Sequence, residues 1–381
     1  MGRGIAAVCL QAGFRVRFSD IDSTAAAAAV RELQTGDLSA FTTPQEAAAV
    51  ITTDDGFTEP DLVIETVAED LGVKHDVLSR TEQLIRPDAV LASNSSSIPM
   101  TQLAECLENP QRFCGLHFCY PVEQRPLVEI IGAENTSAAT LKRVDSVART
   151  MGMAPVTVRD APGFLLNRVL LPCLNEALEL VLEQVDLTEL DATARQFGFP
   201  AGPLAQLDDF GLDVALSVGK TLFRSFPDRI GPSEMLIAMY KAKRLGRKTG
   251  QGFYFEGGAR SDTVVPAVQE IIERRTRNVP PVRRDDIERR LFLPMLLEAT
   301  RALQDSLVDS THVVDQVLRD GLGMTDRYRG LFGWADAVGI DRILEWLKPL
   351  ESLGKRFEPT PLLLDMAAHR DTRLSDWKSA A

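Results

Sequence analysis

The sequence predicts an α/β domain built on a mostly parallel sheet, followed by two related all-α domains. Three observations support this prediction. Short apolar strands alternate with helical stretches as far as residue 158, which is the pattern of βα units. Beyond that point periodic apolar helices dominate and few strand signals remain. Two of the helical stretches match each other at a constant spacing, which indicates a duplicated module.

The first domain is predicted to span residues 1–158. It opens with a helix over residues 5–12, where small and apolar side chains run up to Gly13, and continues with a strand over residues 14–20. An alanine-rich helix then starts at Thr24. Further strands are expected at residues 61–65, 89–93, 113–118 and 127–131, with a helix between the first two that ends near residue 85.

The second part of the chain divides at stretches rich in proline, glycine and polar residues, which are typical of loops and connectors. Residues 159–256 are predicted to form a first helical domain. Residues 257–284 are polar and basic and contain two consecutive prolines, so they are predicted to be a linker. Residues 285–377 are predicted to form a second helical repeat.

The internal repeat relates residues 168–177 to residues 290–299. Pro172, Glu176 and Ala177 recur 122 positions later, and the equivalent residues are Pro294, Glu298 and Ala299. Arg289 stands where the first copy has Asn167. The second repeat is therefore expected to be degenerate, with a structural role and without a site of its own.

Composition argues against several classes of protein. A net charge of −12 is unfavourable for a nucleic-acid-binding protein, which needs a basic surface for phosphates. No apolar run reaches the roughly 18 residues of a membrane span. The five cysteines are scattered, without the spacing of a zinc site. We therefore expect no metal, no nucleic acid, no membrane span and the reduced thiols of a cytoplasmic protein.

The start of the chain matches the second half of a dinucleotide-binding fingerprint. A Rossmann-type domain needs a strand, the pattern GxGxxG, a helix, a second strand and then an acid roughly 20 residues on. Gly2 occupies the place of the third glycine, and Asp20 follows 18 residues later at the end of a strand. The prediction is a Rossmann-type NAD-binding domain with its first strand missing. NAD is favoured over NADP, because the Asp20 carboxylate would repel a 2′-phosphate.

Four residues form a candidate catalytic set. His117 lies between apolar residues, and Glu129 follows it by 12 positions. A lone histidine in such a setting is more often a packed core residue, but a carboxylate partner would make it a base that works near neutral pH. Ser96 lies in a hydroxyl-rich turn after a strand, and Asn167 begins the first helix of the second domain.

These segments together resemble the 3-hydroxyacyl-CoA dehydrogenases. The resemblance implies NAD-dependent oxidation of an L-3-hydroxyacyl-CoA to a 3-oxoacyl-CoA, as in fatty-acid β-oxidation. His117 would be the general base and Glu129 its orienting carboxylate, while Ser96 and Asn167 would hydrogen-bond the reacting oxygens. The residues expected beside the cofactor are Gly2, Asp20, Glu69, Lys74 and Asn94. For Glu69 and Lys74 an ordinary helix start is an equally good interpretation.

The duplicated helical module resembles the dehydrogenase half of the multifunctional fatty-acid oxidation proteins. The partners implied are an acyl-CoA substrate, a second copy in a homodimer, or a hydratase domain or thiolase. The basic run at residues 241–250 could contact a CoA phosphate or be a solvated loop. Two alternatives stay open: a dehydrogenase of free hydroxy or sugar acids, and a non-catalytic member deficient in NAD binding.

Overall fold

The computed structural model describes residues 1–35, 51–52, 60–369 and 373–378. The chain divides into two compact units, Met1–Asp160 and Ala161–Ala381, and each is described by itself. The second unit contains both helical repeats, so their separation into two domains stays a prediction. Among the described residues, no helix is both long and apolar enough to cross a bilayer.

The first unit alternates strands and helices along the chain, as predicted. In order, its elements are α1 (Gly2–Gln11), β1 (Val16–Arg17), α2 (Ser23–Thr35), β2 (Ile51–Thr52), β3 (Leu62–Glu65), α3 (Leu71–Leu84), β4 (Val90–Ser93), α4 (Met100–Ala104), β5 (Phe113–Phe118), β6 (Leu127–Gly132), α5 (Ala138–Thr150) and β7 (Ala154–Val158).

The strands of the first unit form two separate sheets. β3, β4, β5, β6 and β7 form one sheet in that order, and β1 and β2 form a separate parallel pair. All neighbours in the larger sheet are parallel except β5 and β6, which run antiparallel. No pairing joins β1 to β3 in the part of the chain that the structure describes. The absence of the first strand of a Rossmann-type sheet stays a prediction.

Two strands differ from the prediction. The strand expected over residues 14–20 is confined to Val16–Arg17, where it pairs with the equally short Ile51–Thr52. β7 was not predicted, because Pro155 interrupts its apolar pattern. Proline is tolerated at the edge of a sheet, where a backbone N–H is not needed on the open side. β7 is such an edge strand, since it pairs with β6 alone among the named strands.

The core of this unit lies between α1, α5 and the central strands. Ile5 and Val8 of α1 belong to a buried cluster with side chains of β4, β5 and β6 and with Val144 of α5. Leu10 of α1 faces the other way and packs with Val30 and its neighbours on α2. Every residue of β4 and β5 is buried, and the strand that carries His117 is the central one of the five.

The second unit is mainly helical. Its elements are α6 (Leu166–Leu182), α7 (Leu187–Phe197), α8 (Pro203–Phe210), α9 (Leu212–Ser225), α10 (Glu234–Lys241), β8 (Phe255–Glu256), β9 (Ala259–Arg260), α11 (Pro266–Glu273), α12 (Arg284–Gln304), α13 (Thr311–Leu322), α14 (Leu331–Val338), α15 (Ile340–Leu350) and α16 (Pro361–Ala368).

The two repeats meet through α6 and α12, which pack against each other. Each of these helices contains the proline identified in the repeat, Pro172 or Pro294. The stretch predicted as a linker contains β9 and α11. Val268 and Ile272 of α11 are buried, so this stretch folds onto the unit and is not a structureless connector.

Candidate active site

His117 and Glu129 face each other across two antiparallel strands. The register of β5 and β6 places their Cα atoms opposite one another, and side chains in that relation lie on the same face of the sheet. Nδ1 of His117 is 2.6 Å from Oε2 of Glu129. Their side chains are 5% and 0% exposed. A carboxylate that accepts the Nδ1 proton fixes the tautomer in which Nε2 is the basic nitrogen.

The face that carries His117 is packed tightly by α4. A Cβ atom added to Gly115 would lie 2.8 Å from Sδ of Met100, the first residue of α4. The carboxylate of Asp160 accepts hydrogen bonds from the backbone N–H groups of Met100 and Thr101, at 2.7 Å each. Asp160 therefore fixes the helix behind the histidine, and the sequence pattern did not reveal this contact.

The serine turn after β4 is tied to the same strand. The side-chain oxygen of Asn94 accepts a hydrogen bond from the backbone N–H of Phe118 at 2.9 Å, next to His117. The backbone N–H of Asn94 donates to the Glu65 carbonyl at 2.8 Å. Ser96 is half-buried at the tip of this turn. Asn94 thus has a structural bond within the fold, and a cofactor contact by Asn94 stays a prediction.

One oxygen of Glu69 holds the backbone of the serine turn. Oε1 accepts hydrogen bonds from the Ser95 hydroxyl at 2.7 Å and from the N–H groups of Ser96 and Ser97 at 2.9 and 2.8 Å. The Ser97 hydroxyl also donates to it, at 3.0 Å. These bonds are charge-assisted and therefore among the stronger ones in proteins. They fix the position of Ser96, which is a role that the sequence did not predict for Glu69.

Lys74 is buried and belongs to an ion network. Its Nζ lies 2.9 and 3.1 Å from the two carboxylate oxygens of Glu65 and 3.5 Å from Oε2 of Glu69. The Lys74 side chain is only 1% exposed. The Ser93 hydroxyl donates to Glu65 at 2.6 Å. This geometry does not support the predicted cofactor contact by Lys74, because the ammonium group is enclosed and used to hold the two glutamates.

Two of the predicted cofactor residues, Gly2 and Asp20, lie near the carboxyl ends of strands. A Cβ atom on Gly2, the first residue of α1, would be 3.0 Å from Oγ1 of Thr66 and 3.4 Å from the ring of Phe18. Thr66 directly follows β3, and Phe18 directly follows β1. Asp20 is exposed and accepts a hydrogen bond from the N–H of Asp22 at 3.0 Å. Dinucleotides bind at the carboxyl ends of parallel strands, so these residues fit the group.

Asn167 is the second residue of α6, in the second unit. In the turn that leads into this helix, Gly163 and Phe164 have φ angles of +73° and +50°. A Cβ atom on Gly163 would lie 2.8 Å from Cδ2 of Leu222, so only glycine fits this close approach without a shift. The entry into the helix that carries Asn167 is therefore fixed by packing. Arg168, which follows, is buried.

The basic run at residues 241–250 is used within the second unit. Arg244 is buried and donates to the carbonyls of Gly252 and Phe255. Arg247 pairs with Asp209 at 2.7 Å, and Lys248 pairs with Asp213. These contacts give the basic run a structural role. The sequence had suggested a solvated loop or a CoA contact, and neither interpretation included this role.

Family models match nearly the whole chain. A model described as 3-hydroxyacyl-CoA dehydrogenase, NAD binding domain, matches residues 1–161. A second, described as 3-hydroxyacyl-CoA dehydrogenase, C-terminal domain, matches residues 163–256 and again residues 287–376. The double match of the second model corresponds to the two helical repeats.

Solved structures give the same picture. The chain is similar to 3-hydroxybutyryl-CoA dehydrogenase from Escherichia coli K12, with 25% identity and a TM-score of 0.77 over 97% of each chain. It is also similar to (S)-3-hydroxybutyryl-CoA dehydrogenase from Ralstonia eutropha, with 33% identity and a TM-score of 0.60 over 68% of this chain and 95% of the other. The dehydrogenase part of multifunctional enzyme 1 from C. elegans shares the fold, with 21% identity and a TM-score of 0.64 over 96% of this chain and 86% of the other.

Proposed function

The chain belongs to the 3-hydroxyacyl-CoA dehydrogenase family, and from this premise we propose that it interconverts L-3-hydroxyacyl-CoA and 3-oxoacyl-CoA with His117 as the acid–base residue. The family's cofactor is NAD, which is the hydride acceptor in the oxidation. The observation that carries the proposal is the buried 2.6 Å hydrogen bond between His117 and Glu129. In β-oxidation this reaction follows hydration of the enoyl-CoA, and we place the chain there, in the cytoplasm.

The chain's own residues divide the work of the reaction. Nε2 of neutral His117 takes the proton of the substrate hydroxyl as the hydride leaves the same carbon, and Glu129 stabilises the imidazolium that forms. In the reduction, the imidazolium returns that proton to the carbonyl oxygen. Ser96, held by Glu69, hydrogen-bonds the reacting oxygen. Asn167 contributes a second hydrogen bond to the substrate, which orients the reacting carbon.

The substrate class follows from the relatives. The Escherichia coli and Ralstonia eutropha proteins are described as 3-hydroxybutyryl-CoA dehydrogenases, so acetoacetyl-CoA is the first substrate to test. Free acetoacetate is the matched comparison, because it has the same reacting carbonyl and lacks CoA. Reduction of acetoacetate as fast as of acetoacetyl-CoA would favour the alternative of a free hydroxy-acid dehydrogenase.

The second candidate function is a family member that does not bind NAD. It is favoured by one observation: among the described residues, no strand pairing joins β1 to β3. Calorimetry with NADH tests it, on the 381-residue chain and on a version with a β-strand and Gly-x-Gly placed ahead of Met1. Binding by the 381-residue chain supports the dehydrogenase. Binding by neither version supports the second candidate, and binding by the extended version alone shows that affinity depends on the added strand and glycines.

The acid–base role is tested by His117→Gln, which keeps a hydrogen-bonding side chain of similar size and cannot carry the proton. General acid–base catalysis contributes about 10²- to 10⁴-fold, so kcat for acetoacetyl-CoA should fall by that factor. NADH binding and the thermal unfolding midpoint should stay near those of the unmodified chain. A folded variant with full activity would contradict the proposal.

A further inference from the structure

The two helical repeats exchange ion pairs. Nε of Arg168 donates to Oε1 of Glu298 at 2.9 Å, and Nε of Arg290 donates to Oε1 of Glu176 at 2.6 Å. Arg168 and Arg290 are 122 positions apart, and so are Glu176 and Glu298. Each arginine therefore bonds the glutamate of the opposite repeat, as expected for two copies related by an approximate two-fold axis.

Each of these two arginines also donates a hydrogen bond to a second carboxylate of the opposite repeat. Asp305 accepts a hydrogen bond from Nη2 of Arg168, and Glu183 accepts one from Nη2 of Arg290 at 3.0 Å. Glu183 and Asp305 are again 122 positions apart. The repeats thus hold each other by two equivalent clamps, and each clamp has one arginine and two carboxylates of the opposite copy.

The clamp on Arg168 is buried at its centre. The side chains of Arg168 and Glu298 are each 2% exposed, whereas Asp305 is 55% exposed. Burial alone would raise the pKa of Glu298, but the hydrogen bond from Arg229 and the charge of Arg168 lower it, so the carboxylate is ionised. Arg168 and Arg229 also lie over the ring of Phe226, at 4.8 Å and 4.1 Å from its centroid, respectively. A buried arginine held in this way has little freedom to move.

The two clamps differ in what lies beside them. Arg168 directly follows Asn167, the residue proposed to bind the substrate. Arg290 directly follows Arg289, which pairs with Asp286 at 2.8 Å and lies 4.6 Å from the ring centroid of Trp346. One clamp therefore holds a helix turn that carries a site residue, and the other holds a turn with structural contacts only.

We propose that Arg168 is a positioning residue for Asn167, held in place by Glu298 and Asp305 of the second repeat. The degenerate repeat then supports the reaction through this clamp although it has no site of its own. The inference rests on the proposed function, because it needs Asn167 to bind substrate. Consecutive residues in the first turn of a helix move together. A displacement of about 1 Å in a substrate-positioning group can cost about 10²-fold in rate.

The test compares Glu298→Gln with Glu176→Gln, its equivalent in the other clamp. Both substitutions remove one buried negative charge and keep the shape, so both should lower the thermal unfolding midpoint. Only Glu298→Gln should lower kcat for acetoacetyl-CoA, by about 10-fold, while Glu176→Gln stays within about twofold. Asp305→Asn and Glu183→Gln form a second, milder pair in case Glu298→Gln does not fold. The comparison uses whichever pair of variants folds. If the two variants of that pair have equal kcat for acetoacetyl-CoA, the inference is overturned.

A double-mutant cycle separates positioning from a general structural effect. In an Asn167→Ala background, Glu298→Gln should cause no further loss of kcat, because the residue that it positions is gone. Additive losses would show that the clamp acts elsewhere and would overturn the inference. Full activity of Asn167→Ala alone would contradict the proposed role of Asn167. A loss in Asn167→Ala with no loss in Glu298→Gln would overturn the clamp inference and leave the proposed function standing.

Discussion

The His117–Glu129 pair gives the sharpest prediction, which concerns Glu129→Gln. The substitution removes the negative charge and keeps the size of a side chain that is 0% exposed. An amide can also turn its nitrogen toward Nδ1, which would place the ring proton on Nε2 and block proton uptake there. We therefore expect a folded protein that has lost most of its activity.

The magnitude follows from the geometry. The bonded atoms are 2.6 Å apart, and the centres of charge of a carboxylate and an imidazolium in such a bond are about 4 Å apart. At an effective dielectric constant of about 20, the carboxylate stabilises the imidazolium by about 4 kcal/mol. Because about 1.4 kcal/mol corresponds to a factor of ten in rate, kcat should fall about 10³-fold.

The assay is the reduction of acetoacetyl-CoA, followed by the loss of NADH absorbance, with NADH affinity measured separately. Glu82→Gln is the matched control, because Glu82 is also a buried glutamate of the first unit. Its carboxylate accepts hydrogen bonds from the N–H groups of Glu108 and Asn109 at 2.8 Å each. The control should keep its kcat. A folded Glu129→Gln variant that binds NADH and retains more than about a tenth of kcat would refute the reasoning.

Three further predictions follow from the same sites. Lys74→Met leaves the carboxylates of Glu65 and Glu69 without their buried cation, so the free energy of unfolding in urea should fall by about 3–5 kcal/mol. Ser96→Ala removes a hydrogen bond to the reacting oxygen, so kcat should fall about 10²- to 10³-fold with an unchanged unfolding midpoint. Burial raises the pKa of Asp315 from 3.8 to about 7, so its contribution to stability is full below 3.8 and is lost as the pH rises through about 7. Asp315→Asn should therefore flatten the fall in unfolding free energy across that window, and an unchanged slope in pH-dependent urea unfolding would contradict the assignment.

The sequence predicted the elements around His117 because their patterns are local. Mainly apolar runs mark Leu62–Glu65, Val90–Ser93 and Phe113–Phe118, and these strands lie close to the predicted bounds. The separation of 12 residues between His117 and Glu129 does not by itself predict that the two side chains pair. It allows their pairing only if the connection between β5 and β6 sets the observed register, which a pattern of apolar residues does not specify.

The ion network around Lys74 could not be predicted for a related reason. The residues that it joins, Glu65, Glu69 and Lys74, are ordinary charged residues at a strand end and a helix start, where solvent exposure is the usual outcome. Their burial is decided by the packing of the serine turn against Glu69, and that contact spans 26 positions of sequence between Glu69 and Ser95. The sequence left Lys74 with two interpretations, a cofactor contact and an ordinary helix start, and neither included the buried ion network with Glu65 and Glu69.

The duplicated unit separates structural residues from site residues by internal comparison. The crossed clamps occur in both copies, so Arg168 and Glu176 have equivalents, Arg290 and Glu298, that make the same bonds. Asn167 has no such equivalent, because Arg289 occupies its place and pairs with Asp286. A residue that both copies retain with the same partners is explained by packing alone, and a residue that only one copy retains needs another reason. By this criterion, Arg168 is a packing residue, which agrees with an indirect role through the position of Asn167, and Asn167 is the residue for which we propose contact with the substrate.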